Sequence, residues 1–503
     1  MMHAAERQRR ADIFSGNIAY FLDNDNYKEI LVGLNSSFAR NEHMQIIGMT
    51  ALLQMTGKIN HHKNNAILSG IIKSEGGYIV VGAMQHFSAC AQLQILCLQM
   101  INSLSLCDTD CNCRFVYDQH SLYIRLILDA MRNLPQDITV QMHAVLCLTT
   151  LTTRLNFHHN DEQNEYLGYR QEQVNQVYGL KVAQASLREH LEHPNQHFEH
   201  PNQHLDSHTH THTHPNLQEK HLQQINSEIH RNKVVSRLHE SIYILLQGFA
   251  DNEMNRARWK TIAGGDCIKI AVNDMFVSLD SGCRNVFSAP QSYGAFHHIT
   301  FSALKLLCAL SLDTNCAKDM VDASGPRFCA TVGWKLEENE DVQLQVCSIL
   351  NNVGSVPALR KDMISKGVIQ LLTRNIQYTP SLESPSHHSP AQRHVCILKI
   401  RKLAGMALHN IALVDVSGVD ASQGESCIQH AGGVQALMQM IKNPATDFDG
   451  VRQAFSTLTV LAQQRKCNQE MRGVNFDDFL RKEIQRNNPN TPCMTELYNS
   501  ISH

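Results

Sequence analysis

EILVGLNSSFARNEHMQIIG (Glu29–Gly48) and YIVVGAMQHFSACAQLQILC (Tyr78–Cys97) are one pattern written twice. Val32 and Val81, Gly33 and Gly82, Phe38 and Phe87, and Gln45 and Gln94 coincide at an offset of 49 residues. A third copy, LILDAMRNLPQDITVQMHAVLC (Leu126–Cys147), follows the second at 47, so that Ala83 and Met84 meet Ala130 and Met131 and Gln94 meets Gln141. Self-similarity at such a period marks an array of stacked units.

Each copy holds two helical patterns joined by a short polar link. The first carries apolar residues at i, i+3 and i+4, as in Val434, Leu437 and Met438. Glycine often precedes it, at Gly76-Gly77, Gly264-Gly265, Gly325, Gly367 and Gly432-Gly433. We expect glycine there to end one helix in a left-handed turn and aim the next at a sharp angle. The second pattern has small and apolar residues suited to a buried face, as in Ala404, Leu408 and Ile411. Neither helix could bury its stripe alone, whereas stacked neighbours could.

The totals agree. Aromatic residues make up 6% of the 503, which favours aliphatic helix-on-helix packing over a β-sandwich. Lys and Arg number 44 against 47 Asp and Glu, so nothing demands a polyanion, and no nucleic acid is expected as a partner. The 16 cysteines are diluted in a long chain. Cys97, Cys147, Cys308 and Cys347 lie in apolar helical runs and read as small buried hydrophobes in a reducing compartment. The N-terminus lacks the apolar stretch of a signal peptide, and no apolar run reaches the ~20 residues of a membrane span. An intracellular protein, in the cytoplasm with the nucleus left open, is the expectation.

At this point the chain resembles the armadillo family. Its pattern is a second helix opened by Gly-Gly-Val/Ile and a third ending in Ala-Leu-x-Asn-Leu-Ala. AGGVQALMQMIKNP (Ala431–Pro444) is similar to the first part and LAGMALHNIAL (Leu403–Leu413) to the second, with Asn410 at the asparagine place. The same register puts Gln54, Ser103, Thr150, Gly248, Ala309, Asn352 and Val460 there in the other repeats. HEAT repeats share the period, but the glycine-opened helices favour armadillo. The resemblance implies an all-α, right-handed superhelical ARM/HEAT-like solenoid of about eight helical repeats. We place N-terminal repeats at 15–189, an insertion at 190–225, C-terminal repeats at 226–485 and a tail at 486–503.

Composition exposes the insertion. EHPNQHFEHPNQHLDSHTHTHTHPN, from Glu192, repeats EHPNQH and alternates His and Thr from His208 to His214. It lacks the apolar residues that would offset ordering entropy, so disorder is expected. Closely spaced imidazoles can chelate metal, but we favour a simple repeat in a permissive loop. Cys107, Cys111 and Cys113 form a C-x₃-C-x-C run without a fourth ligand, and His61-His62, His158-His159 and His297-His298 lack the i, i+4 spacing of a ligand pair. No metal and no cofactor are expected. Thr379, Ser384 and Ser389 each precede proline in a second polar loop, where phosphorylation would place charge beside Arg393, Lys399, Arg401 and Lys402.

Catalytic constellations are missing from the sequence. It holds no G-x₄-G-K-[ST] phosphate loop, no H-E-x-x-H and no G-x-S-x-G. The expected role is a non-catalytic adaptor or scaffold for a protein, with regulation of a small GTPase or kinase, and metal binding by the His-rich tract, as alternatives. In the armadillo family the last helix of each repeat lines a concave groove, where an asparagine ladder bonds the backbone of an extended peptide. In nuclear-import adaptors a tryptophan stands four residues before each asparagine. Here that place holds Thr50, Gln99, Leu146, Ile244, Lys305, Ser348, Met406 and Ser456, which argues against an import adaptor. The resemblance leaves a two-rung ladder, Asn352 and Asn410, flanked by Lys305, Ser348, Met406 and His409, as the candidate groove. Leu146 and Ile244 suit a partner helix or the insertion.

Overall fold

In a computed structural model the described residues are 2–57, 61–106, 110–153, 237–259, 266–273, 290–364, 367–379, 389–413, 428–443, 448–485 and 491–502. Among them every regular element is helical, as an all-α helical-repeat solenoid requires. They fall into two compact units. Unit 1 runs to Phe249, and unit 2 comprises Ala250–Trp259 and the residues after 265. The His-rich segment, residues 190–225, lies outside the described residues, as do Gly264-Gly265, Cys107, His158-His159 and Ser384.

Unit 1 contains α1 (Met2–Asp23), α2 (Tyr27–Val32), α3 (Glu42–Thr56), α4 (His61–Lys73), α5 (Gly76–His86), α6 (Ala91–Ser105), α7 (Asp110–Asn133) and α8 (Ile138–Thr153). A further helix, α9, runs from 237 to the end of the unit. The last helix of each repeat forms an inner layer, α3 packing on α6 and α6 on α8. On α6 the buried positions include Leu93, Cys97, Ile101 and Leu104, the i, i+4, i+8, i+11 stripe that a stacked helix hides from water. Helix α1 packs on α3 as a preceding inner helix would, so the boundary placed at residue 15 cuts through an intact element.

Unit 2 contains α10 (Glu253–Ala257), α11 (Pro290–Leu310), α12 (Thr314–Asp322), α13 (Gly325–Lys335), α14 (Glu340–Ser355), α15 (Arg360–Ile364) and α16 (Val368–Ile376). It continues with α17 (Pro390–Ala412), α18 (Gly433–Lys442), α19 (Phe448–Ala462), α20 (Arg465–Gly473), α21 (Phe476–Gln485) and α22 (Thr491–Ser502). Its inner layer stacks α11, α14, α17 and α19 in order, and α13, α16 and α18 stack as an outer layer. Residues assigned to a tail supply α22, which packs on α19 as the next inner helix and buries Met494, Leu497 and Ile501.

The glutamine that aligned the copies has a structural task. Gln45 Nε2 donates to the carbonyls of Leu34 (2.9 Å) and Phe38 (3.0 Å), and Gln94 Nε2 to those of Met84 and Phe87 (both 3.0 Å). Gln141 holds Met131 (2.9 Å) and Leu134 (3.0 Å), and Gln343 holds Gly333 (2.8 Å) and Leu336 (2.9 Å). Each ties its inner helix to the last carbonyls of the outer helix before it, which lack a full set of helical partners. In the repeat of α17 the position holds Arg401, whose guanidinium donates to the Tyr378 carbonyl at 2.9 Å. Gln343 is fully buried and also accepts from Asn375 Nδ2 at 2.9 Å. Replacing Gln343 with leucine is expected to cost about 2–3 kcal/mol by denaturant unfolding, since three buried bonds lose a partner at ~1 kcal/mol each.

The glycines of the described turns meet the expectation only in part. Left-handed backbone falls on Gly367 and Gly432, but at the matching turns it falls on Glu75 (φ 58°) and Ser324 (φ 64°), one residue before Gly76 and Gly325. Gly76, Gly325 and Gly433 are needed for space. A Cβ on Gly433 would come within 2.6 Å of Ile428 Cγ2 and 2.9 Å of its carbonyl oxygen, and one on Gly325 within 2.9 Å of the Met320 carbonyl oxygen. The chain doubles back on the previous helix too closely for a side chain. Cys97, Cys147 and Cys347 are buried as expected, and burial pushes the Cys347 thiol up to about 12. Cys308 is only half-buried.

Candidate functional site

The six residues proposed from sequence lie on three inner helices that pack in succession: Lys305 on α11, Ser348 and Asn352 on α14, and Met406, His409 and Asn410 on α17. All six are half-buried. Asn352 Nδ2 donates to Ser311 Oγ at 2.9 Å, just past the end of α11. Asn410 Nδ2 donates to Asn351 Oδ1 at 3.1 Å and to its carbonyl at 3.3 Å, on α14. Each amide therefore staples its helix to the one before, and Thr150 does the same in unit 1 by donating to Asn102 Oδ1 at 2.7 Å. With one amide hydrogen held, the plane of each side chain is set. An amide carries two N–H groups and an oxygen, so Asn352 keeps capacity for a further donor and acceptor, while Asn410, which donates twice, keeps its oxygen as an acceptor.

The flanking residues are less open. Ser348 Oγ donates back to the Leu344 carbonyl at 2.8 Å, and Lys305 Nζ sits 4.3 Å from the centroid of the Phe301 ring. His409 Nδ1 is buried without a hydrogen-bond partner. Burial, and then the nearby Arg360 guanidinium, hold its pKa below the ordinary 6.5. Burial likewise lowers that of His143 in unit 1. Both imidazoles therefore take up protons less readily when folded than when unfolded. Stability is expected to be undiminished above pH 6.5 and to be lost as pH falls below it, with the His409→Gln variant losing less over the same titration.

Sequence reasoning missed Asn351, Ser311 and Arg360, which hold the rungs and helix ends in place. Only the doubled asparagine in Ile349–Val353 hinted at one of them. It also missed an ion pair across the neighbouring helices, Lys402 Nζ to Asp449 Oδ2 at 2.7 Å. The exposed Ser389 caps α17, its hydroxyl accepting from Gln392 N at 3.4 Å, and Thr379 is exposed as well. Among the described residues no group of three His, Cys, Asp or Glu is placed to hold a metal ion. The side chains of Cys111, Cys113, His61, His62 and His297 are not among those described. Among the described residues no single helix is long and apolar enough to cross a membrane.

No protein-family model matches the chain, and no curated protein matches it by sequence. Solved structures do. A chain of the SYS-1/POP-1 crystal complex superposes with a TM-score of 0.58 at 12% identity, covering 95% of this chain and 74% of that one. SYS-1 alone gives the same figures. A chain from work on a phosphorylation switch between cadherin and beta-catenin gives 0.49 at 11% identity, covering 97% of this chain and 85% of that one. The likeness to SYS-1 shows the fold, a divergent armadillo-like helical-repeat solenoid.

Proposed function

We propose that this chain is a non-catalytic scaffold that holds an extended segment of a partner protein along the inner helices of unit 2. The observation that carries this reading is the pair of pre-oriented amides, Asn352 and Asn410, on adjacent stacked helices. An extended backbone offers a donor and an acceptor at every residue. Two amides fixed before binding can meet them with little ordering cost. The neighbouring fold is also seen in a solved complex, SYS-1 with POP-1, which supports a role in binding.

The test is cross-linking mass spectrometry on the native protein beside the Asn352→Ala/Asn410→Ala variant. Captured proteins that cross-link to α14 and α17 are expected to fall about tenfold, the effect of losing roughly 1.4 kcal/mol. Undiminished capture by a variant with an unchanged melting temperature would remove the groove from consideration.

A further inference from the structure

Arg401 stands where four other repeats have glutamine. Gln45, Gln94, Gln141 and Gln343 hold the closing carbonyls of an outer helix with a neutral amide, so that task needs no charge. Arg401 does it with a cation, placing Nε at 3.2 Å and Nη2 at 2.9 Å from one oxygen, the carbonyl of Tyr378. A guanidinium has five N–H groups, and these bonds use two of them. It is half-buried, and burial holds its pKa below the ordinary 12.5. Buried charges are normally paired. Among the described residues no carboxylate pairs with Arg401, because Glu340 is taken by Arg393 and Glu337 by Arg374.

The residue after the gripped carbonyl is Thr379, and Pro380 follows it. Tyr378 is 3% exposed, so the backbone that carries Thr379 is anchored, while Thr379 itself is exposed. Its hydroxyl makes no hydrogen bond among the described residues. Proline disfavours helical backbone at the residue before it, which keeps Thr379 outside α16. Covalent geometry sets its Oγ1 within ~5 Å of the Tyr378 oxygen, so a phosphate on Oγ1 has the guanidinium in reach. Ser389, the other described residue before a proline, is less suited. Its hydroxyl donates to Gln392 Oε1 at 3.0 Å, and Arg393 beside it is already paired.

We infer that Thr379 is a phosphorylation site for a proline-directed kinase, and that Arg401 receives the phosphate. The γ-phosphoryl of ATP passes to Oγ1: the new P–O bond forms, the bond to ADP breaks, and the hydroxyl proton leaves to the kinase's base. The phosphate supplies Arg401 with the anion it lacks, in charge-assisted bonds stronger than those to a neutral carbonyl. It thereby locks the chain leaving α16 onto α17, the helix that carries Met406, His409 and Asn410.

The experiment incubates the full chain with a proline-directed kinase and ATP and maps the sites by mass spectrometry. Thr379 is expected to be modified, and the modified chain to melt about 2–4 °C above the unmodified one. By phosphorus NMR the second phosphate pKa, ~6 in a free phosphothreonine, should fall by about half a unit or more. Thr379→Val should remove both shifts. Arg401→Gln, which restores the residue of the other repeats, should abolish them while Thr379 is still phosphorylated. If that variant fails to fold, Arg401→Lys serves, and is expected to keep less than half of each shift. No phosphate at Thr379, shifts that survive the change at Arg401, or a phosphorylated chain that melts no higher would each overturn the inference.

Discussion

Replacing Arg393 with methionine is expected to destabilise unit 2 by about 3–5 kcal/mol, the usual cost of removing one partner of a buried ion pair. Arg393 Nε is bonded to Glu340 Oε1 between the start of α17 and the first turn of α14, and the two side chains are 16% and 6% exposed. Methionine matches the aliphatic stem but takes the guanidinium away from a carboxylate that stays buried near Tyr378. Changing Glu340 to leucine in the same chain should restore most of the stability, since the pair costs nearly as much to desolvate as its attraction returns. Both tryptophans, Trp259 and Trp334, lie in unit 2, so their fluorescence during urea unfolding reads this unit by itself. A loss under 1 kcal/mol in the single variant would show that the pair is not desolvated as described.

Arg360→Met should cost about 2–4 kcal/mol. Arg360 is 8% exposed, and its guanidinium donates to the carbonyl of Gly354 at 3.0 Å and to that of Leu413 at 2.6 Å. Those carbonyls close α14 and α17, where helix ends lack donors and carry partial negative charge. One cation thus ties the ends of two successive inner helices, with charge-assisted bonds worth more than neutral ones. Lysine at this place keeps the charge but cannot reach two carbonyls in a planar fork, so Arg360→Lys should lie between. Arg360→Met also removes the charge beside His409, so its pKa should rise toward 6.5, readable by imidazole resonances in NMR. If stability falls while that titration stays put, Arg360 acts on the helix ends alone.

The repeat register was legible because buried positions recur with the period of the array. Matching Gln45 to Gln94 and Gln141 found a residue whose task is the same in each copy: to reach the same two carbonyls. Gln343 performs that task too, though its flanking residues had drifted too far for the match to be noticed. The glycine turns were legible in place but not in cause. A left-handed turn and a lack of room for Cβ both select glycine, and a sequence cannot distinguish them. Helix α22 falls within the stretch expected as a tail, and its buried Met494, Leu497 and Ile501 stand at i, i+3 and i+7.

By itself the sequence determined the all-helical repeat, its period and the residues that line each inner helix, since these follow from local apolar spacing. Tertiary structure alone decided what those residues do. Whether Asn352 and Asn410 point at a neighbour, and whether Arg360 reaches two helix ends, depend on distances between segments far apart in the chain. No single repeat encodes them.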